Sequence, residues 1–459
     1  MRLLRLLIPT SVVALLLSES ILILACYVVA SLVLLRPDAY IYFVVEQNYW
    51  KLLVVTGCIM LGMYFQDLYG DFRVTSRILL VQEVCLAVGS ALLFMAVLGY
   101  ISTEYLLPRW LMVFGSFGVV VLVPLWRVFY WRYGLLALSK ERVLLLGNSA
   151  MLAETTRHLL WKTHLGYHIL GYLSEDEPVE FPVPCLGRVS EVKRICDELR
   201  PTRIVVGMAE RRNRLPMTEL LDIRFSGVVI EDAADTYEMA AHRVFSSKIQ
   251  PSQLIFTSEL GPRPSAIALQ SIYSLILGIV GFLCSAPVMV LVAIAVKLSS
   301  KGPIFYRQRR VGLNGRVFTL YKFRSMYADA ETRTGAVWAT KGDPRITPVG
   351  RALRKLRLDE LPQFFNVVRG DMAIVGPRPE RPEFVEMLAA RIPYYRQRLA
   401  VKPGITGWAQ INHKYGDSEL DAMLKLEYDL YYIKHIALAL DFYIIFHTLK
   451  VMVLQRGAQ

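Results

Sequence analysis

The chain has 459 residues and only six cysteines, none in a pattern that chemistry would use. Cys26, Cys58, Cys85 and Cys284 lie in apolar runs, where a thiol behaves as a small hydrophobe, and Cys185 and Cys196 lack CxxC or Cys/His spacing. A disulfide framework and a zinc site are excluded, and a reducing compartment is implied. Glycine and proline, at 29 and 22 residues, do not exceed ordinary usage, which argues against long collagenous or disordered segments. Charged residues make up 20% of the chain against 54% hydrophobic, with a mean hydropathy of +0.39. A soluble surface needs more charge than this, so apolar and charged blocks must alternate.

The charge surplus is local. Residues 1–296 carry 25 basic and 24 acidic side chains, whereas 297–459 carry 27 and 15. That last third attracts an anionic partner: nucleic acid, an anionic lipid surface or a phosphorylated substrate.

At the other end, apolar stretches over 6–35, 52–66, 78–100 and 110–126 each approach the roughly 20 residues that cross a bilayer. The first follows Arg2 and Arg5 as a secretory leader would, but it runs too long and three more follow, so it reads as a retained anchor. Arg2, Arg5, Arg73, Arg77, Arg127 and Arg132 mark one side of the membrane against Arg36, Lys51 and Arg109, which puts both ends of four spans in the cytoplasm.

From about 141, short apolar strands alternate with polar helical segments, predicting a small parallel α/β domain over 140–250. Its first turn, Gly147-Asn148-Ser149-Ala150, keeps one glycine of a GxGxxG loop. It reads either as a phosphate site at the next helix or as a degenerate regulatory or packing module. A Pro-containing linker over 251–264 then leads into Ser265–Val296, 32 residues without a charge. Arg243, Lys248 and Arg263 precede this stretch and Lys297, Lys301 and Arg307 follow it, so both its ends prefer one membrane face. Pro287 removes a backbone donor near the middle, and Ser285 can satisfy a freed carbonyl. The expectation is helix–break–helix, entering one leaflet and returning with its tip at Ser285-Ala286-Pro287; the alternative is a Pro-kinked span.

The remaining sequence is dense in Arg, Lys, Gly and Pro: GPIFYRQRRVGLNG, YKFRSM, GDPRITPVGRALRKLRLDELPQFFNVVRGDM, VGPRPERPEF and VKPGITGWAQIN. Arginine forks bind phosphate bidentately and Gly/Pro turns fix the backbone, which suits a diphosphate substrate. Phe305, Tyr306, Phe318, Tyr321 and Phe323 can stack on a base or pack a core. Asp359-Glu360 follows Arg351, Arg354, Lys355 and Arg357 and precedes Pro362, which predicts the start of a new helix. At such a junction both carboxylates can converge on a divalent ion such as Mg²⁺ while one acts as nucleophile. The alternative is a pair of solvated contacts, Lys355–Asp359 and Arg357–Glu360.

These motifs, in this order from Gly302 to about Asp441 behind the Pro-interrupted apolar hairpin, resemble the bacterial polyprenyl-phosphate hexose-1-phosphate transferases. Those are the monotopic phosphoglycosyl transferases that initiate exopolysaccharide, capsule or O-antigen synthesis. The four-span anchor and the middle module resemble the large members more weakly. Ala373 stands in DMAIVGPRP where Ser is common, and Ser-Ala-Pro replaces Ser-Pro at the hairpin break.

The resemblance implies a membrane protein in five parts: a four-helix transmembrane bundle over 1–135, a Rossmann-like α/β domain over 140–250, and the linker at 251–264. A re-entrant membrane helix over 265–297 and an α+β catalytic domain with interfacial helices over 298–459 complete it. It implies transfer of a sugar-1-phosphate from a UDP-sugar to undecaprenyl phosphate, with Mg²⁺ and release of UMP, on the cytoplasmic face of the bacterial inner membrane. The partners would be these substrates and the bilayer, with no nucleic acid, and the chain would form a homodimer. Asp359 matches the nucleophile that becomes a sugar-phosphoryl aspartate and Glu360 its partner at the metal. Arg354 matches a phosphate ligand, and Pro377-Arg378-Pro379 a rigid loop whose arginine faces the substrate. Lys322 and Arg324 lie in a matching basic stretch. The apolar run Ile436–Leu449, interrupted by Asp441, fits an interfacial or packing helix.

Two other functions compete. A membrane-anchored nucleotide-sugar dehydratase or oxidoreductase needs a glycine-rich cofactor turn and a Tyr-x-x-x-Lys base, and the sequence has neither. A non-catalytic scaffold of polysaccharide assembly would use the basic region as a surface patch and leaves Asp359-Glu360 unexplained.

Overall fold

A computed structural model describes residues 2–3, 6–7, 10–36, 38, 40–66, 68–69, 77–102, 104, 106–134, 141–161, 167–175, 181–208, 215–245, 264–327, 345–413 and 418–453. All of the predicted linker but its last residue lies outside them. Two compact units result: 1–3, 7–148 and 156–231 form the first, and 4–6, 149–155 and 232–459 the second.

The first unit opens with helices α1 (Thr10–Leu34), α2 (Tyr49–Phe65), α3 (Arg77–Ile101) and α4 (Arg109–Phe129). Ile23, Tyr27, Ile59, Met63, Val84, Met95, Leu111 and Val119 are buried among them, while Ile21, Val33, Leu93 and Phe117 face outward. Helices apolar on all sides belong in lipid. α1, α3 and α4 are long and apolar enough to cross a membrane. The 17 residues of α2 reach about 26 Å, at the lower limit of a span.

One acidic side chain interrupts α1. Glu19 is fully buried and receives Arg127 Nε at 2.6 Å, Arg127 Nη2 at 3.0 Å and the Tyr69 hydroxyl at 2.7 Å, while Arg127 Nη1 donates to the Leu68 carbonyl at 2.6 Å. A charge in an apolar bundle persists only when paired in this way. Arg127 is therefore an interior partner and not a cation marking one side of the membrane, as the charge count assumed; Arg73 lies outside the described residues.

The same unit carries strands β1 (Glu141–Leu146), β2 (Tyr167–Leu173), β3 (Cys185–Gly187), β4 (Arg203–Val206) and β5 (Val229–Asp232). They form one sheet in the order β3–β2–β1–β4–β5, with the pairs β1–β2, β1–β4 and β2–β3 parallel, and helices α5 (Ala150–Trp161), α6 (Val192–Leu199) and α7 (Met217–Phe225) lie between the strands in sequence. Leu144, Leu146, Leu173, Ile204 and Val206 fill its core. Gly147 ends β1 at φ +103°, the left-handed region that glycine enters without strain.

The second unit begins inside the segment assigned to the middle domain. Helix α8 (Ala233–Ala241), capped by Asp232, packs here because Glu238 accepts Lys434 Nζ at 2.8 Å and meets His435 Nε2 at 2.6 Å. Just beyond it, Trp408 Nε1 donates to the His242 carbonyl at 2.8 Å. The 36-residue helix α9 (Pro264–Ser299) follows. It runs without interruption through Pro287, so the expected break at Ser285–Pro287 is absent. A single proline removes one ladder hydrogen bond and can bend a helix without ending it. Ser285 Oγ meanwhile donates to the Phe282 carbonyl at 3.3 Å.

An antiparallel hairpin, β6 (Phe305–Val311) and β7 (Val317–Phe323), leads to α10 (Pro348–Lys355), a short 3₁₀ turn at Leu358–Glu360 and α11 (Gln363–Arg369). β8 (Ala373–Val375) pairs in parallel with β9 (Gly404–Thr406), with α12 (Pro382–Arg391) between them in sequence. α13 (Trp408–Asn412), α14 (Glu419–Lys434) and α15 (Leu438–Val453) complete the unit.

α9 touches this unit along its length. Gln270 Nε2 donates to Asp441 Oδ2 at 2.9 Å, Tyr273 bonds the same carboxylate, and Ser274 Oγ accepts the Ile374 amide at 3.3 Å. Gly278 and Gly281 let α11 approach so closely that a Cβ would press on Val367 and Phe364. Val292 and Val296 pack with Phe323 and Leu353. On its other side Ile272, Ile276, Ile279, Leu283, Leu291 and Leu298 are exposed.

Candidate active site

The two acids stand where the chain changes direction. Thr347 caps α10 by accepting the Gly350 amide at 2.9 Å, and Pro348 occupies the first turn. α10 is followed by Arg357 in the left-handed region, φ +54°. A side chain there costs about 1–2 kcal/mol, and such strain persists where the surroundings over-determine the backbone, commonly at functional sites. The 3₁₀ turn that follows carries Asp359 and Glu360.

Neither expected local ion pair, Lys355–Asp359 or Arg357–Glu360, forms among the described residues. Glu360 Oε1 instead accepts Lys322 Nζ from β7 at 2.8 Å and Arg378 Nη2 from the Pro377–Pro379 loop at 3.3 Å. Asp359 is 8% exposed, and its carboxylate receives no hydrogen bond among the described residues. The environments push the two acids apart. Burial and the neighbouring Glu360 charge raise Asp359 above the usual carboxylate range, against Lys322, Arg354 and Arg378. Burial also acts on Glu360, but Lys322 and Arg378 outweigh it and hold that carboxyl far below its ordinary value. Adjacent carboxyls tuned in opposite directions have distinct chemical roles.

Arg354 Nε is steadied by Ser325 Oγ at 2.9 Å. Arg324 goes elsewhere: its guanidinium donates to the carbonyls of Ser300 at 2.7 Å and Lys301 at 3.0 Å and to Ser300 Oγ at 2.9 Å. It ties β7 to the end of α9, which is a structural use of an arginine expected at the substrate. Ser285 and Pro287 belong to α9 and, among the described residues, share no hydrogen bond with the acids.

The loop carrying Arg378 is clamped through four successive carbonyls. Pro377 O accepts the Gly404 amide at 3.0 Å, Arg378 O accepts Arg398 Nη2 at 3.1 Å, Pro379 O accepts Arg310 Nη1 at 2.9 Å and Glu380 O accepts the Val311 amide at 2.9 Å. Arg398 is held in turn by Asp429 at 2.8 Å and the Tyr395 hydroxyl at 2.8 Å. Full burial lifts Asp429 to about 6 despite that arginine. Asn366, fully buried on α11, accepts the Tyr321 amide at 3.1 Å and donates to the Thr319 carbonyl at 2.7 Å, so the helix after the acids is bolted to the strand bearing Lys322. Sequence reasoning missed Arg310, Asn366, Arg398 and Asp429. For Asn366 the available signal was a polar residue in an otherwise apolar stretch, FFNVV; the other three carried no such local signal.

Among the described residues, no three or more His, Cys, Asp or Glu side chains gather as a metal centre. Two carboxylates nevertheless fit Mg²⁺ as it is commonly bound, by one or two protein acids with substrate phosphates and water completing the shell. The bond-free, buried Asp359 carboxylate is the observation that fits.

Residues 265–455 match the family described as Bacterial sugar transferase. Over 174 residues the chain is 48% identical to the UDP-N-acetylgalactosamine-undecaprenyl-phosphate N-acetylgalactosaminephosphotransferase of Aeromonas hydrophila, covering 38% of this chain and 41% of that protein. It is 34% identical over 321 residues to the UDP-glucose:undecaprenyl-phosphate glucose-1-phosphate transferase of Xanthomonas campestris pv. campestris, covering 67% and 66%. The chain thus spans less than two thirds of the length of these two relatives. With the protein of the same description from Klebsiella pneumoniae it shares 33% identity over 340 residues, 72% of each chain. With a matching domain that contains the paired acids and their arginine loop, and a relative matched over most of its length, the chain belongs to the bacterial sugar transferases, the family of the polyprenyl-phosphate hexose-1-phosphate transferases.

Proposed function

We propose that the protein transfers a hexose-1-phosphate from a UDP-sugar to undecaprenyl phosphate through a covalent intermediate on Asp359. The observation that carries this is the pairing of a buried, unbonded Asp359 with a Glu360 already neutralised by Lys322 and Arg378. An Asp359 oxygen attacks the phosphorus that bears the sugar; that P–O(Asp) bond forms as the bond to the bridging diphosphate oxygen breaks, and UMP leaves with the bridging oxygen. An oxygen of undecaprenyl phosphate then attacks the same phosphorus, the P–O(Asp) bond breaks, and the carboxylate is restored with undecaprenyl-diphosphate-sugar as product. Arg378 and Arg354 bind and orient the phosphates, and Glu360 stays anionic to hold Lys322 and Arg378 in place. Asp359 and Glu360 would hold Mg²⁺, which would supply positive charge to offset repulsion between carboxylate and phosphate. The relatives' names include N-acetylgalactosamine and glucose transfer, so UDP-hexoses of both kinds are the donors to assay.

α9 is continuous and long and apolar enough to cross a membrane, and the reading has it bend at Pro287, without a break, so that both its ends stay on the cytoplasmic face of the inner membrane. Contacts to one unit from Gln270 to Val296, with an apolar outer side, support a helix held within one leaflet beside its domain. In α15, Asp441 faces inward while Leu438, Phe442, Leu449 and Met452 are exposed, as in an interfacial helix. The middle sheet has the 3-2-1-4-5 order of dinucleotide folds, which supports a Rossmann-like module that has lost the glycine-rich loop.

Mass spectrometry of donor-loaded protein should find the sugar-phosphoryl mass on the peptide bearing Asp359, and Asp359→Asn should release no UMP. Full activity in that variant, or an adduct elsewhere, removes the mechanism. For the topology, Leu298→Cys with the native cysteines replaced should react with an impermeant thiol reagent only after cells are opened; labelling of intact cells excludes re-entry.

A further inference from the structure

Alternate residues of a strand share a face, so Tyr306, Gln308 and Arg310 form one row on β6. Lys322 lies directly opposite Tyr306 in the antiparallel register, which places their Cβ atoms about 5 Å apart on one face. Lys322 is the residue that grips Glu360, so this row looks onto the paired acids. Its far end reaches the Arg378 loop, where Arg310 donates to the Pro379 carbonyl. Between the two, Gln308 Oε1 accepts Arg310 Nε at 2.9 Å and Nη2 at 2.6 Å, and Gln308 Nε2 donates to the Tyr306 hydroxyl at 2.9 Å. A continuous run of bonds thus fixes the half-buried Tyr306 ring on the hairpin face that bears Lys322.

By the same alternation Phe305, Tyr321 and Phe323 occupy the opposite face of the hairpin. Phe323 is buried, and Phe305 stacks on it at 5.3 Å. Tyr321 lies under the Arg307 guanidinium at 5.8 Å and against the Phe365 edge at 5.6 Å. Phe318, at the end of the hairpin remote from Lys322, packs on the hydrophobic core.

We propose that Tyr306 is the surface on which the donor's pyrimidine base stacks, its ring fixed by Gln308 and Arg310. The inference rests on the transfer reading above and adds the subsite that recognises the nucleotide half of the donor. Any base offers a π face to an aromatic ring, and stacking tolerates the modest polarity of a half-buried position.

The test uses the full-length protein in detergent, with UMP as probe and UDP-glucose, UDP-galactose and their N-acetylated counterparts as donors. Tyr306→Ala should raise the dissociation constant of UMP and the KM for the UDP-sugar by roughly tenfold, the scale of one lost base–aromatic stack. Its kcat and its KM for undecaprenyl phosphate should change less than threefold. Tyr306→Phe keeps the stacking face and loses only the bond from Gln308, so both constants should lie between those of the unaltered protein and those of Tyr306→Ala. Unchanged UMP binding in Tyr306→Ala, an equal rise in the KM for the lipid, or a Phe variant as weak as the Ala variant overturns the proposal. Direct UMP titration separates the two readings: a protein that binds UMP through Tyr306 but releases none from any UDP-sugar keeps the subsite and loses the transfer.

Discussion

At the scale of single residues, the two adjacent acids differ because their neighbours differ. A protonated Asp359 is no nucleophile, so UMP release should fall toward acid as pH passes below its raised pKa. Lys322 opposes that rise. Replacing it by methionine should therefore move the acid limb of the pH–rate profile of kcat/KM to higher pH; a limb that stays put would separate Lys322 from Asp359. Arg398 acts on Arg378 through a carbonyl. Arg398→Met alone leaves Asp429 buried without its partner, a loss of about 3–5 kcal/mol. Arg398→Met with Asp429→Leu should recover most of the thermal stability and still turn over at least tenfold more slowly, with KM for the donor raised. A double variant that is both stable and fully active would show that the clamp has no bearing on the chemistry. The acid pair could be picked out in the sequence because it is contiguous and lies beside Pro362, while its catalytic role stands as proposed above. Arg310, Arg398 and Asp429 could not be picked out, since each meets its partner across 20 to about 70 residues and no local pattern reports such a meeting.

At the scale of elements, long apolar helices announce themselves by composition, and α1, α3 and α4 fall on the predicted stretches. What composition cannot tell is which charges face inward. Arg127 looked like a boundary marker, yet it completes Glu19 from 108 residues away. Glu19→Leu, which strands that arginine, should lower the thermal stability of the full chain sharply, and Glu19→Leu with Arg127→Met should recover much of it; equal stability of all three proteins would remove the pairing argument. Pro287 misled for a related reason, since one missing donor is visible in a sequence but the many intact bonds around it are not. In α15, burial raises Asp441 to about 7, against the hydrogen bond from Gln270. The folded protein thus keeps a proton that the unfolded chain releases near pH 4. Stability contributed by that proton is complete below about pH 4 and is lost as pH rises toward 7 and beyond. Asp441→Asn, which cannot ionise, should flatten the melting temperature across pH 4–8; an undiminished slope would assign the dependence to other groups.

At the scale of the whole molecule, the order of spans, sheet and basic domain was readable, but one boundary was not. The strand-helix rhythm continues through Ala233–Ala241, while Glu238, by binding Lys434 and His435, commits that helix to the second unit. A fragment over 232–459 should therefore melt several degrees above one over 264–459 in the same detergent, and equal melting would make α8 dispensable. The four-point fastening of Pro377–Glu380 carries further. In the two half-reactions proposed above, a loop held at four successive carbonyls would present the same arginine to the soluble nucleotide first and to the lipid afterwards, so the substrates would take turns. Labelled UMP should then be scrambled into UDP-sugar with no lipid acceptor present, a shuttling that a single direct hand-over would never allow.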